Sequence, residues 1–197
     1  MNDVEDYCPN DKQDWRKWLE LNHKKKDAVW LIFYKKKSPN ANLNWSESVD
    51  EALCFGWIDS VKRPIDNEKY KQYFSKRKAN STWSKINKDK VDYLTSENLM
   101  QEAGHKTIKI AKKNGSWSTL DEVEALVIPA DLKKEFNERA GSLEYYESLS
   151  KSVKKIILAW VVLAKRPETR QKRINEIAEN ACKQSIPKQF RLNKNAV

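Results

Sequence analysis

The sequence predicts an α+β fold: a small, mainly antiparallel three-stranded sheet with flanking helices in residues 1–120, followed by an all-helical region in residues 121–197, closely packed together. Three observations lead there. Residues 28–34 are a short continuous run of strand formers bounded by charged residues, Asp27 before it and Lys35 after it. Residues 57–62 and 70–76 read as two further strands, joined through Pro64, Ile65, Asp66 and Asn67, the composition of a hairpin connection. From about residue 85 onward the apolar residues recur only at helical spacing.

In chain order, Asn10 and Gln13 have the spacing of a capping box, and Trp15, Trp18 and Leu19 form the apolar stripe of a helix over 11–23. The 28–34 run lacks a polar alternation, so it reads as a strand covered on both faces. Asn44 and Glu47 make a second capping signal for a short helix with Val49, Ala52 and Leu53 inward, which Gly56 is placed to end. Ser96 is a plausible helix cap, and Asn114-Gly115 stops the helix begun near Ala103. Pro129 suits the first turn of a helix running to Arg139, with Gly141 as its breaker. Val153, Ile156, Ile157, Trp160 and Ala164 form one stripe, and Pro167 opens a last helix with Ile174, Ile177, Ala178 and Ala181 inward.

The totals exclude several classes. At 197 residues the chain can bury a sizeable core, and eight Trp, seven Tyr and five Phe argue against a disordered chain. The longest apolar run, residues 156–164, is too short for a membrane span. The acidic start, residues 1–6, has no secretory character, which points to the cytoplasm. Three cysteines without a Cys-x-x-Cys pair and only two histidines argue against a disulfide framework or a metal site, and no cofactor is expected. The net charge of +10 is concentrated in two blocks: residues 62–90 hold ten basic and three acidic residues, residues 151–173 eight and one. Such blocks suggest an anionic ligand or a nucleic acid as partner.

Several strings resemble the YdeI/OmpD-associated family, whose members are labelled bacteriocin-protection proteins. They include Glu51-Ala52-Leu53-Cys54-Phe55-Gly56-Trp57-Ile58-Asp59-Ser60, Ser81-Thr82-Trp83-Ser84-Lys85 and Glu168-Thr169-Arg170 followed by Arg173-Ile174. The resemblance covers roughly residues 10–180. Family members commonly carry Pro-Arg ahead of the Trp-Ser segment; here Lys76-Arg77 stands there, and Arg77 itself matches. The resemblance implies a bacterial cytoplasmic protein with a helical C-terminal region and a part in stress or bacteriocin resistance. It supplies no reaction.

Four groups of residues are candidate sites. In the stretch 62–90 lysines interleave with Tyr70, Tyr73, Phe74 and Trp83; it reads either as a polyanion surface or as a half-buried strand with solvated lysines. Strand alternation places Lys71 and Tyr73 on one face and Tyr70 and Phe74 on the other. Thr169, Arg170 and Arg173 sit at the start of the last helix, as an anion site or as structural ion pairs. Cys54, His23 and Asp59 are the parts of a nucleophilic site, although the apolar setting of Cys54 favours an inert thiol. Asp59 alone reads as a pocket carboxylate or as a partner of a backbone N–H, Arg63 or Arg77. The ligand candidates are thus Asp59, Arg77, Trp83, Thr169, Arg170 and Arg173. No motif specifies catalysis, so a non-enzymatic binding protein leads, with nucleic-acid or polyanion binding second and an enzyme of unknown reaction third.

Overall fold

A computed structural model describes residues 4–191. It divides into two compact units, Met1–Ser118 and Thr119–Val197. The first contains β1 (Asp6–Tyr7), α1 (Lys12–Asn22), β2 (Ala28–Tyr34), α2 (Trp45–Cys54), β3 (Trp57–Pro64), β4 (Lys69–Lys76), α3 (Lys85–Ser96) and α4 (Glu102–Asn114). The second contains α5 (Asp121–Glu124), α6 (Ala130–Asn137), α7 (Ser142–Ser148), α8 (Lys151–Val162), α9 (Pro167–Cys182) and a single 3-10 turn at Lys188–Phe190. No helix among the described residues is long and apolar enough to cross a membrane.

The α+β expectation holds, with a correction to the sheet. It has four strands in the order β1-β2-β4-β3, and it is mixed: β1 runs parallel to β2, while the β2–β4 and β3–β4 pairs are antiparallel. The sequence hides β1 because two residues cannot display a period of two. The hairpin joins β2 through its second strand, in register from Ala28 opposite Ser75 to Tyr34 opposite Lys69. A register shift between Asp59 and Lys62 puts a bulge in β3.

β2 also departs from the expected two-sided burial. Val29, Leu31 and Phe33 are fully buried, while Ala28, Trp30, Ile32 and Tyr34 keep partial exposure. The apolar run masks this alternation because its open face is built of large side chains too. On the inner face α1 packs aromatically: Trp15 stacks on Trp18 at 5.2 Å and meets Phe74 edge-on at 5.5 Å, and Trp18 meets Trp57 edge-on at 5.8 Å. Burying one such large side chain stabilises the fold by about 1.5–3 kcal/mol. Among these apolar groups Glu51 is buried, held by Arg16 at 2.6 Å and Lys12 at 3.3 Å.

Caps set the helix boundaries. α1 is capped by Asp11, which accepts from the Asp14 N–H at 2.8 Å, rather than by Asn10, which instead donates to the Asp14 carboxylate. Asn44 caps α2, as its position suggests. Ser84 caps α3, and the helix runs through to Ser96, whose hydroxyl bonds back to Tyr93.

In the second unit Pro129 and Ser150 precede α6 and α8, and Pro167 is the first residue of α9. The inward residues of α9 are those the periodicity indicates: Ile174, Ile177, Ala178 and Ala181. The α8 stripe is rotated from expectation. Ile157, Leu158 and Val161 are buried, and Ile156 lies exposed.

Candidate functional site

The first unit carries a cleft of about 660 Å³. Its walls come from the α1–β2 turn (His23, Lys24), the α2–β3 junction (Phe55, Gly56, Trp57), the end of β4 with the residue beyond it (Lys76, Arg77), and α4 (Ala103, Lys106, Thr107, Ile110). These segments meet because α4 lies tightly against the α2–β3 junction. A side chain at Gly56, where φ is +73°, would meet Thr107 Cγ2 at 2.7 Å and the Ala103 carbonyl oxygen at 2.9 Å. Glycine takes that backbone conformation without strain, and its missing side chain allows that approach.

Arg77 is the centre of this arrangement. Its backbone N–H donates to the Gly56 carbonyl at 2.9 Å, which carries the hairpin one residue past β4. Its guanidinium lies 3.7 Å over the Trp83 ring, and Nη2 donates to the Thr82 carbonyl at 2.7 Å. The residue is only 9% exposed, yet among the described residues Nε and Nη1 have no hydrogen-bond partner; the buried Trp57 Nε1 is likewise unpartnered. Burial pulls the guanidinium down to about 10, opposed by the negative charge of Asp59. Unpaired buried donors cost free energy, the more so on a charged group. All three unpaired atoms are donors, so the complement they call for is an acceptor, and at the cation an anion.

The surroundings match. Lys24, Lys76 and Lys106 border the cleft, and Glu102 is the sole carboxylate among its lining residues. Lys76 is engaged by Asp27 at 2.9 Å, whereas Lys106 has no carboxylate partner among the described residues. His23 places Nδ1 at 2.8 Å from the Leu19 carbonyl, so the proton sits on Nδ1 and Nε2 is left as the acceptor in the neutral ring. A smaller cavity of about 200 Å³ shares Arg77, Thr107 and Ile110 with the cleft and is bordered by Trp83 and Lys78.

Asp59, Arg77 and Trp83 thus share one unit but not one cavity. Asp59 lines neither space; its Oδ2 accepts from Trp45 Nε1 at 3.0 Å and Gln72 Nε2 at 2.9 Å, and it reaches Arg77 only through its field. Thr169, Arg170 and Arg173 belong to the second unit. Arg170 grips Asp131 with Nε at 2.6 Å and Nη2 at 3.0 Å, and Arg173 donates to the Trp160 carbonyl at 2.6 Å, closing the end of α8. Thr169 lies partly buried in the first turn of α9. Cys54, His23 and Asp59 form no relay: Cys54 is fully buried, with its thiol pushed up to about 11 by burial and then by Glu51. No three His, Cys, Asp or Glu side chains gather as a metal site requires among the described residues.

Sequence reasoning singled out Arg77 but took His23 only as part of a nucleophilic site, and it missed Lys106 and Thr107 as walls of the cleft. They lie up to 84 positions apart, from 23 to 107, and no local spacing relates them. The Gly56–Trp57 junction was the usable signal, since a glycine there demands a close neighbour.

Two family models match. One, described as a domain of unknown function (DUF8412), covers residues 7–107, just over half of the chain. The other, described as bacteriocin-protection, YdeI or OmpD-associated, covers residues 125–183. The match to the resembled family thus takes in the Glu168-Thr169-Arg170 string but not those at 51–60 and 81–85, which fall, with nearly all of the cleft, in the stretch matched by the first. No curated protein and no solved structure matches the chain.

Proposed function

We propose, for a chain that belongs to the DUF8412 family through its first unit and matches the bacteriocin-protection family in its second, that the first unit is a receptor for a small anion. The observation that carries this reading is Arg77: a buried guanidinium bordering the cleft, with two donor nitrogens unpartnered among the described residues. A carboxylate or phosphate oxygen supplies the acceptors those groups need, and charge-assisted bonds of this kind are the strong ones. The protein then acts as a non-enzymatic cytoplasmic binding protein contributing to stress or bacteriocin resistance, with ligand capture as its biochemical step. The role in protection rests on the family match in the second unit alone.

Thermal unfolding against a panel of phosphate, sulfate and small carboxylates tests the reading. A ligand at about 100 times its Kd stabilises by about 2.7 kcal/mol, a shift of several degrees in Tm. Lys106→Glu, on an exposed side chain without a carboxylate partner, should weaken the effect while leaving the unliganded Tm near wild type. Arg77→Met should abolish it. If no anion in the panel raises Tm, or if Lys106→Glu responds like wild type, the receptor reading fails.

A further inference from the structure

The face of the sheet opposite α1 carries a second basic-aromatic arrangement. Trp30 and Tyr34 on β2 share it with Tyr73, Lys71 and Lys69 on β4, as the antiparallel register requires. Trp30 and Tyr73 meet edge-on at 5.0 Å. Arg63 lies 4.9 Å and Lys71 5.1 Å over the Trp30 ring, and Lys69 lies 5.7 Å over Tyr34. Every β2 and β4 residue on this face keeps partial exposure.

Around the Tyr34 end of the sheet lies a groove of about 780 Å³ that opens on the other, α2-side face. Tyr70 and the half-exposed Trp45 line it together with Lys35, Lys36 and Lys62. Lys62 sits 3.9 Å over the Tyr70 ring. Glu47 is the carboxylate among its lining residues. Rings and cations therefore alternate over the outer face, and the groove gathers a separate set of them on the inner side.

The negative groups nearby offset little of this charge. Asp6 pairs with Lys71 at 2.8 Å, but the carboxylate is 44% exposed, and such pairs are worth little. Asp59 faces the inner side, where Gln72 and Trp45 hold its Oδ2. Arg63 has no carboxylate partner among the described residues.

We infer that this outer face binds single-stranded nucleic acid, with bases stacking on Trp30, Tyr34 and Tyr73 and phosphates held by Arg63, Lys69 and Lys71. Rings with cations between them suit a strand whose bases are unstacked and free, because every base offers a π-face. A duplex keeps its bases stacked inside and offers only phosphates. The inference is independent of the cleft, which lies at the other end of the strands near Arg77 and α4.

Fluorescence anisotropy of a labelled single-stranded oligonucleotide of about 12 nucleotides at low salt tests it. Saturable binding is expected, with log K falling linearly as log salt rises. Trp30→Ala should weaken binding about five- to hundredfold, Trp30→Phe far less, and Leu21→Ala, on the exposed side of α1 across the sheet, should act as a near-neutral control. Arg63→Glu, on an exposed side chain outside the buried core, should weaken binding about tenfold and keeps the test decisive should Trp30→Ala unfold. Absence of binding at low salt overturns the inference. So does a duplex bound as tightly as the single strand, equal displacement by polyglutamate at matched charge, or wild-type affinity in Arg63→Glu.

Discussion

Gly104→Ala offers a test in which propensity and packing predict opposite signs. Gly104 lies in the first turn of α4, where alanine is favoured over glycine by about 1 kcal/mol. Its surroundings reverse that expectation. An added Cβ would stand 2.4 Å from the Cys54 carbonyl oxygen, 2.8 Å from the Leu53 carbonyl oxygen and 2.7 Å from Met100 Cε. The methionine end can swing away, but the carbonyls belong to the end of α2, where Cys54 O already accepts the Gln101 N–H at 3.1 Å. To restore ordinary contact at 3.4 Å, α4 must retreat by about 1 Å. Overpacking of this kind costs about 1–3 kcal/mol, and two backbone obstacles place it near the top of that range. The net expectation is a loss of about 2 kcal/mol, a fall in Tm on the order of 5–10 °C. Seven of the eight tryptophans lie in residues 1–118, so thermal unfolding followed by tryptophan fluorescence reports mainly on the unit concerned. Because α4 walls the cleft, the same variant should also lose anion-induced stabilisation. A Tm equal to or above wild type would refute the packing argument.

Three further outcomes are expected. Arg16→Met leaves the buried Glu51 with Lys12 alone at 3.3 Å and should destabilise by about 3 kcal/mol in urea titrations; a loss below about 0.5 kcal/mol would show that Glu51 finds other relief. Arg170, first through its hydrogen bond, holds the Asp131 carboxyl below its ordinary value of 3.8, so the stability it confers is full above about pH 4 and disappears as pH falls through the lowered folded value. Asp131→Asn should therefore cost about 1 kcal/mol near pH 7, discounted for the exposure of both partners, and converge on wild type in acid; a gap of unchanged size near pH 2 contradicts the linkage. Iodoacetamide under native conditions should label the exposed Cys182 and Cys8 and spare Cys54, whose thiol burial pushes to about 11; peptide mass mapping that finds Cys54 modified first would reopen a nucleophilic role.

What the sequence made legible follows the range of the physics involved. The β4 alternation, with Lys71 and Tyr73 on one face and Tyr70 and Phe74 on the other, and the inward face of α9 are short-range patterns, and both appear as read. β1 escaped because it is stabilised by its neighbour rather than by its own two residues. The α8 stripe was drawn through Ile156, but that helix is apolar on too many sides for periodicity alone to choose the buried one. At the cleft, Arg77 stood out as part of a recognisable string. Its unpaired donors are a property of how Gly56, Trp83 and α4 enclose it, and that enclosure depends on contacts between residues distant in the chain. Arg170 and Arg173 illustrate the converse: two arginines one turn apart look ready for an anion, yet Asp131 and the last carbonyls of α8 occupy them.

The brevity of β1 bears on how the chain resists self-association. Beyond Tyr7, β2 would present an unpaired edge, the usual template for adding a foreign strand. The Asn42 side chain occupies that position: its Oδ1 accepts the Tyr34 N–H at 3.0 Å, and its Nδ2 donates to the Ile32 carbonyl at 3.1 Å and the Pro9 carbonyl at 2.8 Å. One carboxamide thus extends the ladder past the end of the strand. At the opposite edge the bulge and Pro64 interrupt the hydrogen-bonding row of β3. A sheet rich in valine, tryptophan, isoleucine and tyrosine is in this way closed at both margins to edge-to-edge polymerisation, and its aromatic face can stay open without the strands recruiting copies of themselves.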